Sequence, residues 1–201
     1  MKIEKVNLSF RDKLTPIKKV DKLVLHHPAH KTWDIQEIHN YHKNALKWSG
    51  IGYNYFITFD GRIQEGRGKN VGAHCSGHNS HTLGLSFQGN FDEQKMTDAQ
   101  VEAGGWLIAQ FVREYGLTLN DVIGHRDLAK TDCPGKNFRM ADVKNAALGI
   151  INPNVKKEVS AASNDKRYRL VTGTFGTKSD AETAAAKVKK EFGYVVYIKE
   201  E

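Results

Sequence analysis

The sequence predicts an α/β protein with a mixed central sheet flanked by helices, followed by a small C-terminal βαβ module. Strand-like and helix-like segments alternate through residues 1–148, periodicity is lost over residues 149–165, and it returns over residues 166–201. Hydrophobic residues make up 39% and charged residues 26% of the 201 residues, which is typical of a globular chain. We therefore expect a first domain, a linker and a terminal module with these bounds.

The first half of the domain carries two predicted strand regions around one helix. Residues 20–27 contain a short apolar run that ends in two histidines, as a buried strand would. A helix is predicted over 34–46, because Asp34 and Glu37 have the spacing of a capping box. Residues 52–66 alternate, turn at an Asp-Gly pair and alternate again, which predicts a hairpin.

The second half of the domain adds one strand and two helices. Residues 81–88 predict another buried strand, and a helix is predicted over Thr97–Tyr115, with Gly116 as its C-terminal stop. The pair Gly104-Gly105 costs this helix about 1 kcal/mol per glycine, so we expect close packing against the sheet there. A last helix is predicted around residues 140–148, and it closes the layered domain.

The C-terminal module has its own strand and helix signals. Residues 168–175 predict a strand, Ser179 and Glu182 predict the start of a helix, and residues 194–198 predict a second strand. About 35 residues are too few to bury a core of their own. We expect the apolar face of this module to pair with a second copy or to pack on the first domain.

The formal charge of +7 predicts attraction to polyanions, including nucleic acid, anionic membranes and cell-wall polymers. The basic residues are scattered and form no basic-aromatic motif, so we expect no nucleic-acid partner. No stretch is apolar enough for a membrane span or a signal peptide, so we expect no membrane partner and synthesis in the cytoplasm.

Three residues could form a catalytic metal centre. His26 ends a predicted buried strand, His125 follows an apolar pair, and Cys133 precedes a Pro-Gly turn. Two imidazoles and one thiolate suit zinc and leave its fourth position open. A chain with nine histidines also produces such pairs by chance, and the alternative is two hydrogen-bonded histidines at strand ends and a buried thiol.

Four segments occur in an order that resembles a known enzyme family: LVLHHPAH, IGYNYFITFDGRIQEGR, GAHCSGHNSHTLGLSFQGNF and GHRDLAKTDCPG. Between about Leu23 and Gly135 the chain resembles the zinc amidases of phage endolysins and peptidoglycan-recognition proteins. The resemblance implies N-acetylmuramoyl-L-alanine amidase activity on bacterial peptidoglycan. The bond cut would join the lactyl group of muramic acid to the first residue of the stem peptide.

The resemblance also implies roles for single residues. His26, His125 and Cys133 would bind Zn²⁺, which lowers the pKa of a bound water towards about 7. Tyr53 would orient or deprotonate the attacking water, and Thr131 would donate a hydrogen bond to the oxyanion. We treat both catalytic roles as hypotheses.

Other family positions concern the substrate and the general base. His74 and Asn79 would lie along the substrate groove, although Asn79 could instead fix its loop. Some amidases of the wider superfamily carry a catalytic glutamate where this chain has Ser86 and a histidine where it has Asn54. The identity of the general base therefore stays open. His27 should point to the sheet face opposite His26, since strand side chains alternate.

The tail resembles half of a SPOR-type peptidoglycan-binding repeat. Because a complete repeat of that type needs two such units, the resemblance implies wall anchoring and a homodimer through the tail. The alternative is a solvated βαβ appendage without a ligand.

Two other functions compete with a zinc amidase. Peptidoglycan-recognition proteins without the cysteine ligand bind wall fragments and do not cut them, but this chain carries Cys133. A cysteine hydrolase could use Cys133 with His125 as a nucleophilic pair. A wall-cutting enzyme without a signal peptide is best explained as a phage lysin that reaches the wall after release, with a host autolysin as the alternative.

Overall fold

The structure, a computed structural model, describes residues 1–153 and 176–192. Contacts divide the chain into two units, Met1–Lys157 and Glu158–Glu201. The strands predicted over 168–175 and 194–198, and most of the predicted linker, lie outside the described residues. Within the described part, no helix is long and apolar enough to cross a bilayer.

The first unit is built on one six-stranded mixed sheet, as the sequence predicts. The strands are β1 (Ile3–Lys5), β2 (Lys22–His26), β3 (Tyr55–Ile57), β4 (Ile63–Glu65), β5 (Thr82–Phe87) and β6 (Val122–Gly124). Their spatial order is β1-β4-β3-β5-β2-β6. β3 and β4 form the predicted antiparallel hairpin, whereas β5 runs parallel to both β3 and β2, and β2 runs parallel to β6.

Two of the helices begin at residues whose side chains cap the free N–H groups of the first turn. The capping box of Asp34 and Glu37 is present, and Thr97 and Gln100 form a second one. Gly116 ends a helix with φ of 65°, a left-handed conformation that glycine adopts without strain. The helices are α1 (Ile35–Asn44), α2 (Asp98–Tyr115), α3 (Met140–Ile151) and, in the second unit, α4 (Lys178–Phe192).

The side chains of β2 alternate between the two faces of the sheet, and a separate hydrophobic cluster lies on each face. Leu23 and Leu25 belong to the large hydrophobic cluster shared with α2 and α3. A smaller cluster forms around Ile38 of α1 and Phe56 of β3. Phe56 pairs with Ser86, which pairs with His26, so all three side chains share the face covered by α1.

The glycine pair inside α2 packs closely, as expected. A Cβ on Gly104 would lie 2.5 Å from Cε1 of Phe87 in β5. A Cβ on Gly105 would lie 2.4 Å from the Cβ of Ala146 in α3. The contact of Gly105 with α3 was not foreseen, and the two contacts together explain why neither position has room for a side chain.

Several predicted bounds differ from the structure. Helix α1 ends at Asn44, before the predicted residue 46, and α3 continues to Ile151, past the predicted start of the linker. The cap predicted at Ser179 is wrong, because Thr177 accepts a hydrogen bond from the Asp180 backbone at 3.2 Å. Thr177 and Asp180 have the same three-residue capping spacing as the predicted pair Ser179 and Glu182, but two residues closer to the N-terminus. Strand β1 was missed because it has three residues, two of them charged.

Candidate metal centre

The sheet brings His26 and His125 together. β2 and β6 are adjacent parallel strands, with Leu25 paired to Gly124, so both histidines stand at the carboxyl ends of neighbouring strands. This edge is where open parallel sheets place their ligand sites. The two imidazole centroids are 4.5 Å apart. Sequence alone identified both residues, and the pairing of β2 with β6 makes them neighbours.

The loop that carries Cys133 is fastened to the turn that carries His125. The Arg126 backbone N–H donates to the Cys133 carbonyl at 2.9 Å, and Arg126 Nη2 donates to the Asp132 carbonyl at 2.5 Å. On the other side of the turn, Asp127 accepts the Gly124 N–H at 2.7 Å. Cys133 Sγ consequently lies 3.6 Å from His26 Nδ1.

The three predicted metal ligands meet within one small volume. The ligand atoms of His26, His125 and Cys133 all lie within 4.8 Å of one another. Bond lengths of about 2.1 Å to nitrogen and about 2.3 Å to sulfur at a tetrahedral angle place two zinc ligands about 3.6 Å apart. The observed distance between His26 Nδ1 and Cys133 Sγ matches this value. Two imidazoles and a thiol are also the donor types that zinc prefers.

Burial favours the uncharged forms of these side chains. His26 is 1% exposed, and burial, followed by the nearby His74 and His125, holds the pKa of His26 well below 6.5. Burial also lowers the pKa of His125. Burial raises the pKa of the Cys133 thiol to about 12. Neutral imidazoles offer lone pairs, and a divalent cation is the partner that would favour a thiolate here.

Tyr53 lies beside the cluster. Its ring centroid is 5.4 Å from that of His26, and its hydroxyl donates to the His27 carbonyl at 3.4 Å. Burial is the main cause that raises the pKa of this phenol. Nearby on the same sheet face, the buried Ser86 Oγ has no hydrogen-bond partner among the described residues. The site thus contains a phenol that can orient a water.

Thr131 stands on the loop just before Cys133. Its Oγ1 accepts the Cys133 N–H at 3.3 Å, which leaves the hydroxyl proton free to be donated. Thr131, Tyr53 and the three predicted ligands line one cavity of about 420 Å³. A cavity of that size can admit part of a glycopeptide.

Of the two predicted substrate contacts, His74 lies at the cavity and Asn79 lies in the loop beside it. His74 lines the cavity, but it is 7% exposed, and its Nδ1 lies 3.0 Å from His26 Nε2. Asn79 Oδ1 accepts the backbone N–H groups of His74 and Cys75 at 2.8 and 2.9 Å, and Asn79 does not line the cavity. Asn79 therefore fixes the loop, and contact of either residue with substrate stays a prediction.

His27 and Asn54 have structural partners. His27 Nδ1 accepts the Phe91 N–H at 3.0 Å, and its ring stacks on that of Phe91 in the large cluster, on the side away from His26. Asn54 donates to the carbonyls of Gly68 and Asn70, at 2.7 and 2.8 Å, and accepts the Gly84 N–H at 2.8 Å. Asn54 thus ties β5 to the loop after the hairpin.

An aromatic wall of the cavity was missed by sequence reasoning. His42 of α1 accepts the Gly52 N–H at 3.0 Å and packs against Trp48, with ring centroids 4.8 Å apart. Trp48 is 40% exposed and lines the cavity. An indole face of this kind can pack against a sugar ring. The available signal was a tryptophan in a polar loop five residues before Tyr53.

Residues 16–136 match the family described as N-acetylmuramoyl-L-alanine amidase. A similar curated protein is peptidoglycan-recognition protein SC2 of Drosophila melanogaster, 41% identical over 106 residues. That alignment covers 52% of this chain and 58% of the relative, so the chain spans little more than half of that protein's length.

Two solved structures have a similar fold. The endolysin amidase LysCS from Clostridium intestinale is 33% identical, with a TM-score of 0.67, and the match covers 72% of this chain and 93% of that one. Peptidoglycan recognition protein LE, solved with monomeric diaminopimelic acid-type peptidoglycan, is 28% identical, with a TM-score of 0.60. That match covers 68% of this chain and 86% of the other. The relatives thus include an amidase as well as recognition proteins.

Proposed function

Because the chain belongs to the N-acetylmuramoyl-L-alanine amidase family, we propose that it is a zinc-dependent peptidoglycan hydrolase. It cleaves the amide bond between N-acetylmuramic acid and the L-alanine of the stem peptide. The observation that carries this proposal is the convergence of His26, His125 and Cys133, within 4.8 Å, in the wall of an open cavity.

The three side chains would hold the metal from one side, and the cavity would admit the substrate from the other. Zinc bound there supplies a Lewis acid that polarises the amide carbonyl and makes water nucleophilic near neutral pH. The remaining work falls to the protein, which must orient the water, stabilise the oxyanion and hold the sugar and peptide.

Tyr53 orients the attacking water in this proposal. Its proton is directed to the His27 carbonyl, so the phenol oxygen offers its lone pairs to a water in the cavity. Thr131 donates its free hydroxyl proton to the oxyanion, from a position fixed by its bond to the Cys133 backbone. Trp48 offers a face on which a sugar ring packs.

We expect Tyr53→Phe to lower kcat about 100-fold and to leave the zinc content unchanged, because it removes the orienting oxygen and retains the ring. Stopped assays on purified wall, combined with metal analysis, measure both quantities. Tyr41→Phe is the matched control, since Tyr41 is 43% exposed on α1 and does not line the cavity. Unchanged hydrolysis by zinc-loaded Tyr53→Phe would remove Tyr53 from the mechanism.

Mass spectrometry of digested wall tests the proposed reaction. An amidase releases stem peptides with new L-alanine amino termini, whereas a glycosidase releases new reducing sugars. A protein that binds wall and yields neither product would be a recognition protein. Inhibition by thiol alkylation but not by chelation would instead identify a cysteine hydrolase.

We extend the proposal to a phage endolysin that is made in the host cytoplasm and acts on the wall after release. The support is the 33% identity with the endolysin amidase LysCS from Clostridium intestinale. Access to the wall would then depend on a membrane lesion made by another protein.

We also propose that the C-terminal module anchors the enzyme to the wall and pairs two chains. Its resemblance to half of a SPOR-type repeat supports both roles. Deletion of residues 158–201, the second unit, should weaken binding to purified wall at least about tenfold, because anchoring raises the local concentration of the catalytic unit. Pelleting assays and light scattering measure the two effects. A monomeric full chain, with equal wall binding after the deletion, would contradict both roles.

A further inference from the structure

We propose that His74 is a positioning residue for the metal centre: its imidazole holds His26 in the tautomer whose Nδ1 is free to bind a metal ion. This inference rests on the proposed function, because it concerns how the chain holds zinc. It gives His74 a task other than contact with the substrate.

The hydrogen bonds that Thr82 makes determine the direction of the bonds from Thr82 to His74 and from His74 to His26. His74 Nε2 lies 3.4 Å from the Thr82 carbonyl and 3.4 Å from Thr82 Oγ1. The Thr82 hydroxyl gives its proton to the His78 carbonyl at 2.8 Å, so both oxygens facing His74 act as acceptors. The proton of the neutral His74 ring therefore belongs on Nε2, and its Nδ1 carries the lone pair.

That lone pair determines the tautomer of His26. His74 Nδ1 lies 3.0 Å from His26 Nε2, so His26 Nε2 must donate the proton of this bond. The lone pair of His26 is then on Nδ1, the nitrogen 3.6 Å from Cys133 Sγ. The Thr82 carbonyl of β5, acting through His74, thus fixes the His26 tautomer that a metal ligand needs.

The surrounding structure is shaped to seat the His74 ring. A Cβ on Gly72 would lie 2.4 Å from His74 Cδ2, and a Cβ on Gly84 would lie 2.4 Å from His74 Cγ. Asn79 holds the His74 backbone from one side through a 2.8 Å hydrogen bond. Asn54 holds Gly84 in place from the other, also at 2.8 Å. The ring therefore occupies a slot that two glycines keep open.

These contacts leave His74 little capacity for substrate. Both of its ring nitrogens have partners inside the protein, and the residue is 7% exposed. Groups that hydrogen-bond a metal-ligating histidine orient its ring and raise its basicity, and their loss typically weakens metal binding about 10- to 100-fold. Loss of His74 should therefore weaken zinc binding before it affects binding of the substrate.

The test measures the zinc dissociation constant of the full-length chain by competition with a chelator, independently of hydrolysis. His74→Ala should raise this constant about 10- to 100-fold. His74→Asn should recover most of the loss, because its Oδ1 can occupy the place of Nδ1 and accept from His26. His78→Gln is the control from the same loop, and it should bind zinc as tightly as the wild type.

Gly84→Ala provides a second test of the positioning role, in a chain that retains His74. Its methyl group would displace the His74 ring, and the zinc dissociation constant should rise although every histidine is still present. Urea unfolding of the zinc-free chains corrects for any general loss of stability. This variant keeps the inference testable if His74→Ala does not fold.

The outcomes separate the inference from the proposed function. If His74→Ala and Gly84→Ala bind zinc as tightly as the wild type, the positioning role is wrong. Unchanged zinc binding together with weaker binding of a soluble muropeptide would assign His74 to the substrate instead. A wild-type chain that binds no zinc would overturn the proposed function itself.

Discussion

Cys133→Ser abolishes peptidoglycan hydrolysis, with an expected loss of at least about 1000-fold in kcat/KM. A serine hydroxyl has almost the same shape as the thiol, but it does not ionise to a metal ligand near neutral pH. A bound metal contributes several kcal/mol to charge stabilisation in the transition state, and about 4 kcal/mol corresponds to about 1000-fold in rate. Zinc content should fall together with activity.

The second cysteine provides the matched control. Cys75 is buried and free, and it lies outside the cavity lining, so Cys75→Ser should retain hydrolysis and zinc. Wall lysis followed by turbidity, with metal analysis of the same samples, gives both readouts. Chelation should stop the wild type, and added zinc should restore it, whereas Cys133→Ser should not recover. Full lysis by a metal-free Cys133→Ser chain would refute the proposed metal centre.

Phe87→Ala lowers the free energy of unfolding by about 3–5 kcal/mol, the usual cost of deleting a buried phenylalanine ring. Phe87 is fully buried on β5, and its ring meets that of Phe138 edge to face, with centroids 5.1 Å apart. It also fills the space that Gly104 leaves open on α2. Removal of the ring therefore leaves a cavity where the sheet packs on its main helix.

Urea unfolding followed by tryptophan fluorescence, at one fixed zinc concentration, measures this effect. Leu46→Ala is the control, because Leu46 is 39% exposed, and its loss should change the free energy of unfolding by less than about 0.5 kcal/mol. A cost below about 1 kcal/mol for Phe87→Ala would mean that α2 and α3 repack around the vacancy.

Local signals predicted the main elements well. The capping boxes at Asp34 and Thr97, together with the glycine stop at Gly116, lie where the sequence places them. Such signals depend on hydrogen bonds among residues two to five positions apart, so they can be read from a short window. A capping signal of the same kind gave a wrong prediction at Ser179, because Thr177 caps that helix in the structure.

Residue chemistry predicted the candidate site, and tertiary structure brought it together. The sequence supplied two imidazoles, a thiol, a phenol and a hydroxyl in segments that resemble one family. It could not show that His74 contacts His26, because the two residues are 48 positions apart in the chain. Only the fold brings their ring nitrogens to 3.0 Å. Nor could it show Trp48 in the cavity wall, since a lone tryptophan in a loop has no periodicity to read.

The sequence by itself determined most of the strands and helices and the side chains of the predicted metal centre, because backbone preference, capping and apolar periodicity act over a few residues. Only the tertiary structure decided that β2 lies between β5 and β6. That order brings Cys133 to His26 across 107 positions and sets His125 beside them. Which strands become neighbours depends on how both faces of the whole sheet are buried at once. The pattern of apolar residues along the chain does not contain that information.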